Sequence, residues 1–429
     1  MSRALDRLLK VAIPFKEYLH TMTIVFTGST FAEMIPICMA PFLTRLYIPE
    51  DFGRYGLIIS VSALLAQFST LRYENSIIIA KDSQEVFFTW KLCEYLIFTI
   101  HVLFILAMTV TYSIVEMLLP NYSWGNSFFL IPLVSLGSAL FRVQILVNNR
   151  NENFSFASRI KVVQASLIAT FSITLGIIYV QDGLIWALIL GNLGGVLFLR
   201  PKLTNFPPPE IKKLMEVAKR YSNFAYYALP GELVNNATSR YPLMVFPFLF
   251  GNEIAGYLTL SYRVVAMPAR FVANAVSEVF FQRASKEMRD KHDCRHLFLL
   301  TAGVLLIIGL LGFGSLYLLS DHIFEVFFGE QWKNTGEYIK FLIPLFLVSF
   351  VVSPLSSMIY VAEKQKWDFF WHMGNLILIT SSSLVSYFFF EKIEAVLLAF
   401  VMAGSCAYFV YFIMLLMLTK GNPHEIKRT

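Results

Sequence analysis

The sequence predicts an all-α polytopic membrane protein: twelve transmembrane helices in two six-helix lobes related by a pseudo-two-fold axis. Three observations predict it. Hydrophobic residues make up 56% of the 429 and charged residues only 15%, well below the roughly 25% charged residues of an ordinary soluble domain. Apolar runs of about 20 residues, enough for a helix to cross about 30 Å of hydrocarbon, recur along the whole chain. Basic residues concentrate in alternate connections between those runs, the pattern that sets membrane orientation.

The N-terminal segment MSRALDRLLKVAIPFKEYLH is basic and amphipathic, with Leu5, Leu8, Leu9 and Ala12 on one side. It reads as a helix lying on the membrane surface, not as a cleavable signal. The expected spans of the first half are Met22–Thr44, Tyr55–Ala80, Val86–Val110, Phe128–Val147, Val162–Val180 and Leu184–Leu199. Those of the second half are Phe224–Leu249, Ile254–Phe281, Leu297–Ser320, Tyr338–Val361, Phe369–Phe389 and Ala395–Leu418. The expected organisation is therefore an N-terminal lobe over 1–200, a cytoplasmic linker over 201–223 and a C-terminal lobe over 224–429. The linker holds FPPPE and then a basic amphipathic stretch, Ile211–Arg220, suited to a surface helix.

With twelve spans, 25 basic residues fall on the side that holds both termini and five on the other. Both termini are then cytoplasmic. External labelling at Lys213 would overturn this count. The formal charge of +6 is thus spent on topology, and nucleic-acid binding is not expected. Cys38, Cys93, Cys294 and Cys406 are scattered and give no metal-ligand pattern. No HExxH, GxSxG or P-loop occurs, so neither catalysis nor a cofactor is expected.

Two local matches suggest duplication. The stretch Glu50–Tyr55 (EDFGRY) parallels Asn252–Tyr257 (NEIAGY) at a separation of 202 residues, and FLIPL occurs at both Phe129–Leu133 and Phe341–Leu345. Six spans is an even number, so both halves start from the same side, and a cavity between them is the arrangement of alternating-access transporters.

Five arginines lie within the expected spans: Arg72, Arg142, Arg240, Arg263 and Arg270. A charge near the bilayer centre costs at least about 2.5–3.5 kcal/mol, so such residues face a cavity or a partner. Arg263 and Arg270 are seven residues apart, two turns along one helical face, with Asn274 a turn further on. Guanidinium groups bind phosphate oxygens bidentately, so these residues are the candidate substrate-binding set for a phosphate- or pyrophosphate-bearing amphiphile. Glu33, Glu74, Glu232 and Glu278 are the acids available for proton or sodium coupling. Glu74 is expected to point away from Arg72, two residues before it on a helix. The structural alternative is a set of interhelical salt bridges and snorkelling arginines.

Leu43–Leu57 (LTRLYIPEDFGRYGL), Leu71–Asp82 (LRYENSIIIAKD), Gly256–Ala284 and Phe328–Lys366 resemble segments of the polysaccharide-exporter family, O-antigen flippase type. That family lies within the multidrug/oligosaccharidyl-lipid/polysaccharide exporter superfamily. The resemblance implies translocation of an undecaprenyl-pyrophosphate-linked oligosaccharide, an O-antigen unit or similar, across the bacterial cytoplasmic (inner) membrane. It carries over Arg72, Glu74, Arg263 and Arg270 as functional charges. It also implies lipopolysaccharide or other polysaccharide assembly on the far side, with polymerase and chain-length machinery as partners. A drug or solute antiporter on the same fold, and a non-transporting assembly scaffold, are the alternatives. The antiporter should carry acidic cation sites where this chain has arginines.

Overall fold

The computed structural model describes residues 30–118, 126–151, 153–198 and 210–420. The N-terminal amphipathic segment and the proline run of the linker lie outside them. Among the described residues the chain is helical and has no strand. The first half contains α1 (30–46), α2 (Pro49–Ser69), α3 (Ser76–Ile79), α4 (Ser83–Leu118), α5 (Ile131–Arg150), α6 (Phe154–Ile177), α7 (Gly183–Phe198) and α8 (Ile211–Arg220). Then follow α9 (Leu229–Phe250), α10 (Asn252–Ser261), α11 (Met267–Lys291), α12 (Arg295–Ile323), α13 (Lys333–Val352), α14 (Met358–Val361), α15 (Gln365–Phe390) and α16 (Ile393–Met417).

Eight described helices are long and apolar enough to cross a membrane, or nine when the bent pair Pro49–Ser69 and Tyr73–Ile79 counts as one span. α7 is a shorter apolar helix, and α9, with Glu232, Arg240, Pro242 and Pro247 in its sequence, is not in that set. The first expected span is described only from residue 30.

Contacts divide the chain into two compact units. One is Met1–Leu46 with Leu57–Leu233, the other Tyr47–Gly56 with Val234–Thr429. In the first unit α6 packs on α7 and α5, and α4 on α5 and α8. The start of α4 is capped reciprocally: Asp82 Oδ1 accepts from the Glu85 amide at 2.8 Å, and Glu85 Oε2 accepts from the Lys81 amide at 2.6 Å. Helix α8 buries Leu214 and Val217 and is tied down by Arg220 Nη1 at 2.9 Å from Glu85 Oε1. In the second unit α15 packs on α16, and α13 on both α12 and α16. Cys294, ahead of α12, donates its thiol toward Met358 Sδ at 3.6 Å. Burial pushes that thiol up to about 11, a small packed side chain and not a reactive one.

The expected continuous span Tyr55–Ala80 is broken. α2 stops at Ser69, Leu71 and Arg72 take positive φ of 48° and 63°, and the chain bends by 66° into Tyr73–Ile79. Ser69 and Thr70 cause part of this. Their hydroxyls donate to the carbonyls of Ala66 and Gln67 at 2.8 and 3.1 Å, competing for acceptors of the helical ladder.

The beginnings of α2 and α10, both in the second unit, approach through glycine. A Cβ on Gly53 would lie 1.9 Å from the Asn252 carbonyl oxygen, and one on Gly256 would lie 1.9 Å from that of Pro49. A Cβ on Gly56 would meet Thr259 Oγ1 at 2.0 Å. One register relates all three contacts, so the helix pair is locally dyadic. It is shifted by one residue from the sequence match, which aligns the tyrosines; the close approach selects the glycines instead. Backbone cannot yield as a flexible side chain can, so Gly53→Ala and Gly256→Ala should each cost about 1–3 kcal/mol or more. Both should lower the melting temperature in detergent, while Gly312→Ala, with nothing within 4 Å, should not. Unchanged melting in both variants would show that the helices do not meet there.

Candidate functional site

The structure sorts the intramembrane charges into two different environments. In the first unit, the break after α2 folds Arg72 back over its own neighbour. Arg72 Nη1 lies 3.6 Å from Glu74 Oε1, Arg72 Nη2 lies 3.8 Å from Glu232 Oε2, and Arg142 Nη2 lies 3.5 Å from the same Glu74 oxygen. This corrects the expectation that Glu74 points away from Arg72. That expectation assumed an α-helix, where positions two apart face opposite sides. A left-handed residue followed by a 3-10 turn brings them together. The Glu74 side chain is 0% exposed, Arg72 is 11% and Arg142 is 46%. A fully buried acid thus holds one buried and one half-exposed arginine.

The second unit has a cavity of about 430 Å³, within the usual size range of ligand pockets. Arg270 and Asn274, one turn apart on α11, both line it. Asn235, Thr238 and Ser239 of α9 and Ser349 of α13 add amide and hydroxyl groups. Arg240 on α9 is close enough to Arg270 for the two charges to repel. Among the described residues neither arginine has an ion pair. Arg270 is exposed to the cavity, and two like charges close together favour an anion that joins them.

Arg263 is not part of that lining. It is 8% exposed, with its guanidinium carbon 5.5 Å from the Tyr55 ring centre and 6.0 Å from that of Phe52. The shared face expected for Arg263 and Arg270 is lost because Tyr262–Ala266 forms a π-helical turn, which changes the rotation per residue. Arg263 is therefore a cation held on aromatic faces. Among the remaining acids, Glu33 is exposed and interacts electrostatically with Lys161. Glu278 is exposed and outside the cavity lining.

Sequence reasoning missed a group on α15 and α16. Asp368, Trp371, His372 and Asn375 recur at i, i+3, i+4 and i+7 and all line the cavity. Tyr411 donates its hydroxyl to Asp368 Oδ1, and His372 Nε2 lies 3.8 Å from the same oxygen. Trp371 stacks on Tyr411 with ring centres 3.9 Å apart and donates its indole N–H to the Ala407 carbonyl at 2.9 Å. Asn375 is 4% exposed, and its Oδ1 has no hydrogen-bond partner among the described residues. The helical spacing was a readable signal, although Phe369 and Phe370 beside it make the segment look like the start of an ordinary apolar span.

Among the described residues no His, Cys, Asp and Glu group could hold a metal ion. Comparison with known proteins gives a consistent direction. A family model described as polysaccharide biosynthesis protein matches residues 42–337. The succinoglycan biosynthesis transport protein ExoT of Rhizobium meliloti (strain 1021) is 22% identical over 304 residues, covering 68% of this chain. The match spans 58% of that relative's length. An inward-facing multidrug resistance MATE family transporter of the MOP superfamily superposes with a TM-score of 0.65 at 15% identity, covering 95% of this chain and 98% of its own. The lipid II flippase MurJ, in an inward closed conformation, does so with a TM-score of 0.66 at 14% identity, covering 92% and 87%.

Proposed function

The chain belongs to the polysaccharide biosynthesis protein family, and we propose that it flips an undecaprenyl-pyrophosphate-linked oligosaccharide from the inner to the outer leaflet of the bacterial cytoplasmic membrane. It is a multi-span membrane protein with the fold of MOP-superfamily transporters. In this reading twelve spans form two six-helix lobes, both termini are cytoplasmic, and the chain works by alternating access without covalent chemistry.

One observation carries the substrate class: Arg270 lines a cavity rich in amide and hydroxyl groups, with Arg240 near enough to add its charge, and among the described residues neither has an ion pair. Pyrophosphate is the anion that this pair suits, since its oxygens accept bidentate hydrogen bonds from guanidinium. The same charges disfavour an organic cation. Asp368 is the acid that the antiporter reading would use, and the Tyr411 hydroxyl already occupies one of its oxygens.

The test is transport in proteoliposomes carrying the lipid-linked oligosaccharide fraction of the host. We expect protein-dependent appearance of sugar on the opposite face and no uptake of ethidium. Ethidium uptake without sugar translocation would replace this reading with the antiporter one. Glu33, Glu74, Glu232 and Glu278 are the coupling candidates within the proposal. Flipping that ignores both proton and sodium gradients would remove their coupling role and leave flipping intact.

A further inference from the structure

The cavity of the second unit has two chemically different walls. One carries the unneutralised Arg270 with Asn274. The other carries Asp368, Trp371 and Asn375 on α15 with Tyr411 on α16. Phosphate chemistry uses the first wall and leaves the second unexplained.

The second wall combines three features. Trp371 is a fixed plate, because its N–H is committed to the Ala407 carbonyl at 2.9 Å, one face is stacked on Tyr411, and the His372 and Tyr408 rings meet it at an angle with centres 4.8 and 5.2 Å away. A ring held in this way loses little freedom when a flat, weakly polar partner is laid against the surface it offers to the cavity. Asp368 is an acceptor held in place by the Tyr411 hydroxyl, with further oxygen lone pairs for donors in the cavity. Asn375 is nine-tenths buried, lines the cavity and has a buried carbonyl oxygen without a partner among the described residues. Such an oxygen costs free energy until a donor reaches it. The ligand that meets these demands has an apolar C–H face, positively polarised toward the ring, and several O–H donors around its edge. A pyranose ring has both.

We infer that the α15/α16 wall of this cavity is a saccharide subsite, with a sugar ring laid against Trp371 and its hydroxyls donating to Asp368 and Asn375. The inference rests on the flippase reading and adds to it. The arginine wall takes the phosphate common to every substrate, and the α15/α16 wall reads the sugar attached to it.

The test measures binding of two probes to the purified full chain in nanodiscs: undecaprenyl pyrophosphate without sugar, and the host's lipid-linked oligosaccharide fraction. Wild-type protein should bind the sugar-bearing lipid about tenfold or more tightly than the bare one, a difference of about 1.4 kcal/mol. Asn375→Leu and Trp371→Leu should each erase that preference while affinity for the bare lipid stays within about twofold. Asn375→Leu removes an unpartnered buried oxygen at similar volume, so it should fold at least as well as wild type and keeps the test decisive if Trp371→Leu is unstable. Arg270→Ala should weaken both probes. Equal wild-type affinity for the two lipids would overturn the saccharide subsite and leave the phosphate reading standing. A preference that survives in Asn375→Leu would also overturn it. Failure of wild-type protein to bind either lipid would sink the flippase reading instead.

Discussion

Glu74→Gln should remove most of the folded protein from the membrane. Glu74 is fully buried and faces Arg72 and Arg142 through one oxygen at 3.6 and 3.5 Å. Removing one partner of a buried pair leaves the other charge uncompensated, typically at about 3–5 kcal/mol. Arg72 suffers most, because it is 11% exposed, sits in a left-handed conformation and retains only the more distant Glu232 at 3.8 Å. Arg142 is 46% exposed and can turn toward the surface, so Arg142→Gln should change abundance little. The double variant Arg72→Gln/Glu74→Gln should recover part of the loss, since replacing both charges is milder than orphaning one. Membrane abundance and melting temperature in detergent provide the readout. If Glu74→Gln were instead present at wild-type level, with transport lost and its dependence on pH abolished, Glu74 would be a coupling carboxylate and the structural account would fail.

The same contrast explains what the sequence made legible. Apolar runs mark the helices because the bilayer demands length and hydrophobicity of each span, and those demands are local. Resemblance of segments such as Leu43–Leu57 and Gly256–Ala284 pointed to the right family. Interruptions inside spans were not legible, because they depend on backbone choices that composition does not encode. Ser69 and Thr70 bond back to carbonyls at the bend, and a π-turn at Tyr262–Ala266 separates two arginines that an ideal helix aligns. Both events change which way a charge points, so they altered the site more than the fold. Asp368, Trp371, His372 and Asn375 were missed for a different reason. Their spacing is plain, yet each residue alone resembles an interfacial anchor or a surface group until α16 brings Tyr411 against them.

Arg270→Ala should show the opposite behaviour from Glu74→Gln: normal or slightly increased stability, with transport lost. Arg270 lines the cavity and, among the described residues, has no acidic partner to orphan. It lies close enough to Arg240 for their charges to repel, so deleting one of the two relieves that repulsion in the empty protein. With substrate bound the sign reverses. The lost charged hydrogen bonds cost about 1.5–3 kcal/mol, or roughly ten- to hundredfold in affinity for a pyrophosphate lipid. Arg270→Lys should retain part of the function, because charge survives and the bidentate fork does not. Arg263→Ala should lower stability by loss of the contacts with Tyr55 and Phe52, and transport per folded molecule should be nearly unchanged. The decisive comparison pairs surface polysaccharide with membrane abundance for Arg270→Ala, Arg263→Ala and Glu74→Gln in one strain background. Normal transport in Arg270→Ala at normal abundance would refute the binding role. Reduced abundance with normal transport per molecule would make Arg270 structural, like Arg72, and would mean that the arginine pair meets an acidic partner in the folded protein.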